Sequence, residues 1–387
     1  MINLLKNKDK METNQIKTII FDLDGVITSE KKYWNTSKLT VWELICSQDY
    51  LGINQYFGTS NDVSNVLVNL GEKIISSNFI YQLKSRAINS NWDLTFFVVC
   101  LHLVAIIGNF QEVQDDTLSQ LLNQNDVDLK TKLNQLGQLI KRKNYNVEIS
   151  QPIIEQFWQE TKALKGAAVL EYVNFFISEK LGEKFSLFDS RGELWQLCYE
   201  NFQAWYEGRK GYNLPDEETV LDLHSIEATL STLHYSGRYT LAIATGRPRQ
   251  EVIQPFTTWG LLQYFDPQRI VTYDEVLESE SILSHSNQKI KLGKPHPFIL
   301  FKAIYPEEDI RQLCAENFQL ENGQEIAYIG DAGSDVVAAQ RAGCISLGVL
   351  TGFGEGNEKI KKQQMLSDLG CDIILDSILE LPNLLRL

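Results

Sequence analysis

IKTIIFDLDGV, residues 16–26, starts as a run of apolar and β-branched side chains and breaks at DLDG. That is how a buried strand reads when it enters a loop. It leaves Asp22 where the strand ends, with Asp24 two residues on. Downstream, residues 30–221 contain no comparable strand followed by a polar loop. Apolar positions at helical spacing recur instead over residues 34–45, 94–107, 153–158 and 166–176. Residues 111–150, rich in Asn, Gln and charge, read as solvated helix and loop. Beyond residue 222 the pattern changes. Short apolar strands at 239–244, 269–272, 325–329, 345–349 and 372–375 alternate with helical stretches, which predicts βα units and a parallel sheet.

If the strand at 16–21 joins that sheet, the core is discontinuous: residues 1–29 and 222–387, interrupted by a helical domain over 30–221. No internal repeat or low-complexity tract competes with this division. In an open α/β sheet, ligands bind beyond the carboxyl ends of the strands. The polar residues at those ends are therefore read together.

The 387 residues suffice for two domains with substantial cores, and the formal net charge is −14. That charge argues against a nucleic-acid or anionic-membrane footprint, which needs clustered Lys and Arg. It leaves room for a small phosphorylated ligand, because a metal ion and one or two placed cations attract such a group locally. Cys46, Cys100, Cys198, Cys314, Cys344 and Cys371 are scattered without CxxC or zinc-like spacing, which suits a reducing cytoplasm. MINLLKNKDKMETNQ lacks the apolar stretch of a secretory signal. The most hydrophobic run, 94–107, is shorter than the roughly 20 residues that span a bilayer, and reads as a buried helix with His102 in its core.

Four strand ends carry the chemistry: Asp22 and Asp24 in FDLDG, Thr245 in AIATGR, Lys294 in KLGKPHP, and Asp331 with Asp335 in YIGDAGSD. A phosphate monoester resists an anionic nucleophile because its own oxygens are negative, so a site must first gather cations around it. Mg2+ takes six oxygens and keeps several waters, so a few carboxylates and a substrate phosphate suffice. Asp22 and Asp331 supply such ligands. Lys294 offers a compact ammonium to the carboxylates and the phosphoryl oxygens, and Thr245 a hydroxyl hydrogen bond. Pro248 suits a first helical turn, which would set a helix N-terminus beside Thr245. Arg247 is positioned to reach the same phosphate. Arg209 and Lys210 read as a surface turn, His296 as a loop residue packed in KPHPF, and His224, His234 and His285 have no partner spacing.

In this order, the four segments resemble the motifs of the haloacid dehalogenase (HAD) superfamily. The resemblance covers the whole core; the insertion matches in position only. It implies a Rossmann-like parallel sheet with helices on both faces, plus a large α-helical cap. It further implies that Asp22 is the nucleophile and Asp24 the general acid and later base, the latter with its backbone carbonyl on the metal. Metal binding would fall to Asp22, Asp24, Asp331 and Asp335, with Asp331 the direct ligand and Asp335 orienting the metal's waters or Lys294. Phosphate and substrate would meet Thr245, Gly246, Arg247 and Lys294. Dehalogenases of the superfamily lack the second aspartate, so Asp24 points to phosphate hydrolysis.

The expected activity is thus a Mg2+-dependent phosphohydrolase acting on a small phosphorylated metabolite through an aspartyl phosphate. Two alternatives stay open: a phosphosugar mutase, in which a second hydroxyl accepts the group instead of water, and a regulatory protein that works through the cap surface. The intact acidic set weighs against the second. The cap offers a surface to a protein partner, but no motif specifies one.

Overall fold

A computed structural model of the chain describes residues 13–60, 62–86, 88, 90–108, 116–124, 126–142, 151–285, 290–315, 317–352 and 357–387. The chain divides into two compact units, Met1–Glu30 with Glu217–Leu387, and Lys31–Asp216.

In the first unit the described residues form one six-stranded parallel sheet. Its strands are β1 (Thr18–Phe21), β2 (Thr240–Ala244), β3 (Ile270–Val271), β4 (Ile326–Gly330), β5 (Ile345–Val349) and β6 (Ile373–Leu375), in the order β3-β2-β1-β4-β5-β6. Each strand is almost wholly apolar, because both faces are covered. Ile19 and Phe21 point to one face, where they meet Leu230 of helix Leu223–Tyr235 and Val252 of helix Gln250–Thr258. Ile20 points to the other, against Val276, Leu300 and Ala338 from helices Tyr273–Ser284, Phe298–Ile304 and Gly333–Ala342. Helices therefore cover both faces, as the sequence predicts.

The strand order places the site. From β1 the chain steps through β2 and β3 to one edge, while β4, β5 and β6 run to the other. The direction reverses between β1 and β4, and at such a switch point the flanking loops diverge and leave a crevice. Phe21 is level with both Ile243 of β2 and Ile329 of β4. Asp22, Thr245 and Asp331 consequently leave neighbouring strands at nearly the same height.

The second unit is helical. At its centre helix Asn91–Gly108 packs against helices Lys31–Cys46, Gln151–Glu160, Ala167–Leu181 and Glu193–Tyr206. Phe97, Val98, Leu101, Val104 and Ile107 are all buried, so the helix is apolar all round because it is enclosed. Each such side chain contributes about 1.5–3 kcal/mol on burial. Among the described residues no helix is long and apolar enough to cross a membrane. His102 accounts for both its ring nitrogens inside this core: Nε2 lies 2.9 Å from the Ile74 carbonyl and Nδ1 3.2 Å from the Tyr56 hydroxyl. Burial pushes its pKa down to about 4, so it packs as a neutral ring.

Residues 111–115, 125 and 143–150 of the stretch read as solvated lie outside the described residues. Within that stretch, helix Leu129–Arg142 departs from the expectation by burying Leu133, Leu136 and Ile140. Their spacing of three and four residues makes one apolar stripe, which the polar composition around it obscured.

Candidate active site

Asp22 continues β1, and its N–H donates to the Ile329 carbonyl at 2.8 Å, so the sheet fixes its backbone. Its side chain is buried. Oδ2 lies 2.8 Å from Lys294 Nζ, whereas Oδ1, equally enclosed, meets no hydrogen-bond donor. A buried, unpaired carboxylate oxygen is costly and calls for an explanation by ligand or metal.

Lys294 sits between two carboxylates, 2.8 Å from Asp22 Oδ2 and 2.8 Å from Asp335 Oδ1. Asp335 lies in the first turn of helix Gly333–Ala342, where its Oδ2 also accepts the Ala332 N–H at 3.0 Å. The Tyr328 hydroxyl is within hydrogen-bond distance of both Asp335 Oδ1, at 3.0 Å, and the Ala244 carbonyl, at 3.1 Å. Asp335 thus holds Lys294 from a well-satisfied position.

Burial pushes the Asp22 carboxyl up to about 7; Lys294 opposes this, while Asp335 and Asp24 reinforce it. Burial alone would lower the Lys294 ammonium, but Asp22 and Asp335 outweigh it and raise its pKa above the ordinary value. Both partners of the pair thus shift upward, Asp22 chiefly because it is buried and Lys294 because two carboxylates face it.

One oxygen from each of Asp22, Asp331 and Asp335 lies within 4.8 Å of the others, and all three side chains are buried. Mg2+ binds through oxygens held at about 2.0–2.1 Å, and three buried carboxylates gathered in one place supply donors of that kind. Charge agrees. Among the described residues the ion pairs of the site set Asp22, Asp24, Glu217, Asp331 and Asp335 against Lys294, Lys362 and Arg247, an excess of two carboxylates. The orphaned Asp22 oxygen, the three-carboxylate cluster and this excess fit a divalent cation. Asp24 contributes no side-chain oxygen to the cluster.

The Asp24 carboxylate is engaged by Arg247. Nε and Nη2 donate to Oδ1 at 2.9 and 2.6 Å, and Thr28 Oγ1 donates to the same oxygen at 3.2 Å. The guanidinium also pairs with Glu217 Oε2, 3.2 Å from Nη1, and is only 1% exposed. Arg247, read from the sequence as a phosphate contact, therefore turns its guanidinium to two carboxylates. The reason is local. Residues 245–249 form an irregular turn, and the helix begins at Gln250. Pro248 precedes that helix instead of entering its first turn, and the Arg249 N–H donates to Asp274 Oδ2 at 2.6 Å. Thr245 is fully buried, and its Oγ1 accepts the Arg247 N–H at 3.3 Å, which directs its hydroxyl hydrogen elsewhere.

Gly25 closes the turn after Asp24 with φ +71°, in the left-handed region. A Cβ there would stand 2.4 Å from Asp331 Oδ2, so only glycine lets the acidic strand ends approach this closely.

Sequence reasoning missed Lys362, Tyr328 and Glu217. Lys362 is 3% exposed on helix Asn357–Asp368, and its Nζ lies 2.8 Å from Asp331 Oδ2. Other polar candidates have structural partners. His296 Nδ1 accepts the Phe298 N–H at 3.1 Å, and Arg209 pairs with Glu207. Lys210 pairs with Glu43 and Asn201. His234 and His285 each lie against a backbone carbonyl, and His224 faces Glu227.

The first unit is thus a doubly wound α/β core with an acidic cluster at its topological switch point. The chain belongs to the haloacid dehalogenase-like hydrolase family, whose profile matches residues 16–343. Among curated proteins it is 26% identical over 161 residues to the phosphoglycolate phosphatase of Vibrio vulnificus strain YJ016, covering 41% of this chain and 53% of that protein. To the phosphoglycolate phosphatase of Pasteurella multocida strain Pm70 it is 28% identical over 168 residues, covering 39% of this chain and 62% of that protein. The chain thus spans about half the length of the curated relatives it matches. A crystal structure from the Northeast Structural Genomics Consortium aligns over 96% of this chain and 98% of its own, at 26% identity and a TM-score of 0.60.

Proposed function

We propose that the chain is a Mg2+-dependent phosphatase that hydrolyses a small phosphate monoester through an aspartyl phosphate on Asp22. The observation that carries this reading is the Asp22 carboxylate: one oxygen is held by Lys294 and the other is buried without a donor. The names of the curated relatives support phosphomonoester hydrolysis as the reaction class.

Asp22, Asp331 and Asp335 would hold Mg2+, together with the Asp24 backbone carbonyl; the bound ion would offset the negative charge of the phosphoryl oxygens. Asp22 attacks phosphorus while the bond from phosphorus to the ester oxygen breaks, and Asp24 passes a proton to that departing oxygen. A water then attacks the aspartyl phosphate as Asp24 takes its proton, which releases phosphate and restores Asp22. Lys294 keeps Asp22 aligned and balances its charge, and the Thr245 hydroxyl with the Gly246 backbone would meet the phosphoryl group. Three donors converge on Asp24 Oδ1, so Oδ2 is the oxygen that carries the transferred proton. The helical unit is read as the cap, and six free thiols suit a reducing cytoplasm.

The test is phosphate release from a panel of phosphorylated metabolites, phosphoglycolate and sugar phosphates included, with and without Mg2+. Steady release with Mg2+, reversibly silenced by chelator, is expected. Undiminished release in chelator refutes the metal role, and isomerisation of a sugar phosphate without free phosphate makes the protein a mutase. A second measurement addresses Arg247. Because it positions Asp24, Arg247→Lys should lower kcat by about 10–100-fold, less than the roughly 10²–10⁴-fold that a general acid contributes because the lysine keeps the charge beside Asp24, and leave KM within roughly threefold. A rise in KM at unchanged kcat would return Arg247 to the substrate.

A further inference from the structure

Lys362 is a buried cation beside the acidic cluster that the reaction above does not use. Nothing in NEKIKKQQMLSD, residues 357–368, sets it apart from Lys359 and Lys361. Yet Lys359 pairs at the surface with Asp376, 43% exposed, whereas the Lys362 ammonium is enclosed between Asp331 Oδ2 and the Thr351 carbonyl. The surrounding contacts hold it there. The Thr351 hydroxyl donates to the Gly25 carbonyl at 2.6 Å. A Cβ on Gly352 would stand 2.5 Å from Gly25 Cα, so the loop after β5 lies directly on the DLDG turn. Lys362 thereby joins three segments at one carboxylate, and that carboxylate belongs to the cluster proposed to take the metal.

We infer that Lys362 is a built-in counter-ion that sets the affinity of the acidic cluster for divalent metal by competing with it for the charge of Asp331. This rests on the reading of that cluster as a divalent-cation site. Two effects oppose each other when such a lysine is removed. Its hydrogen bond orients the ligand, and loss of an orienting partner weakens metal binding by roughly 10–100-fold. Its positive charge, next to a ligand oxygen in an enclosed site, repels the incoming ion, and like-charge repulsion is strongest where water is excluded. The ion carries two charges and Asp331 is already confined by Gly25, so repulsion dominates and the lysine loosens metal binding. Such an arrangement would keep the carboxylates compatible with folding before metal arrives, and would hold the site in the range where it responds to metal concentration.

Lys362→Gln separates the two effects, because the amide keeps an N–H donor and removes the charge. Titration calorimetry with Mg2+ and, separately, Mn2+ should show Kd lowered at least about tenfold in Lys362→Gln, as expected for removal of one buried like charge. Lys362→Arg, which keeps the charge, should stay within roughly threefold of the parent. An unchanged or raised Kd in Lys362→Gln overturns the inference while leaving the metal site standing. Absence of binding by the parent overturns the metal site and this inference with it. If Lys362→Gln is unfolded in chelator, its refolding midpoint against metal is the intrinsic Kd raised by the unfolding equilibrium constant, which a denaturant titration of the variant supplies. An intrinsic Kd so corrected that equals or exceeds the parent's then counts against the proposal.

Discussion

Asp22→Asn is expected to abolish turnover, by at least about four orders of magnitude in kcat, the scale on which removal of a catalytic nucleophile acts. The amide has the shape of the protonated carboxyl but cannot form the phosphoryl ester. Folding should survive for a reason visible in the site. Burial raises the Asp22 pKa to about 7 from an ordinary 3.8, so in chelator the folded protein favours the uncharged carboxyl. The stability that protonated Asp22 confers is complete below pH 3.8 and is lost as pH rises through 7. The neutral amide escapes that loss. In chelator at pH 8 the variant should therefore melt no lower than the parent, and the advantage should vanish at pH 4. Residual activity near the parent's would remove Asp22 from the nucleophile's role; a collapsed fold at both pH values would show its charge to be structural.

Lys294→Met should be the most damaging change to both activity and stability. Its ammonium is 2% exposed and touches Asp22 and Asp335 at 2.8 Å each. Removing one partner of a buried ion pair costs about 3–5 kcal/mol, because the remaining charges are left without compensation. Here two carboxylates lose their cation at once. The melting temperature in chelator should fall steeply, and Mg2+ should recover part of the loss. Activity should not return with it, since Asp22 would no longer be held in line. A variant with parental melting and parental kcat would show that the lysine is dispensable.

The sheet was legible because its strands are buried on both faces and so read as short apolar runs, each ending at a polar turn. The acidic residues were legible for the same reason: a carboxylate directly after a buried strand has no packing role there. β1 starts at Thr18, two residues after the apolar run does, because the Ile16 and Lys17 amides bond to a turn and to the Glu325 carbonyl before the ladder begins. What stayed hidden depends on docking. Lys362 lies in a charged helix whose sequence does not separate it from Lys359 and Lys361, and only its seating against the β5 loop buries one lysine of three. Tyr328 reads as a strand residue, and its hydroxyl gains meaning only with Asp335 beside it. Arg247 was noticed, but a sequence shows no difference between a guanidinium that meets phosphate and one that meets Asp24 and Glu217.

The interrupted sheet also has a consequence for how the chain comes into being. β1 sits at the middle of the sheet, yet the partners on its two sides start at Thr240 and Ile326, more than 200 and more than 300 residues later. At roughly 5–20 residues per second, the ribosome delivers the second partner some 15–60 seconds after the first strand emerges. Until Thr240–Ala244 emerges Ile19, Ile20 and Phe21 have no strand to pair with, and until Ile326 they have one on a single side, while the contiguous helical segment already holds its own contacts and can fold behind them. Nascent chains arrested before Ile326 should accordingly show a protease-resistant helical fragment and a first strand still open to chaperones.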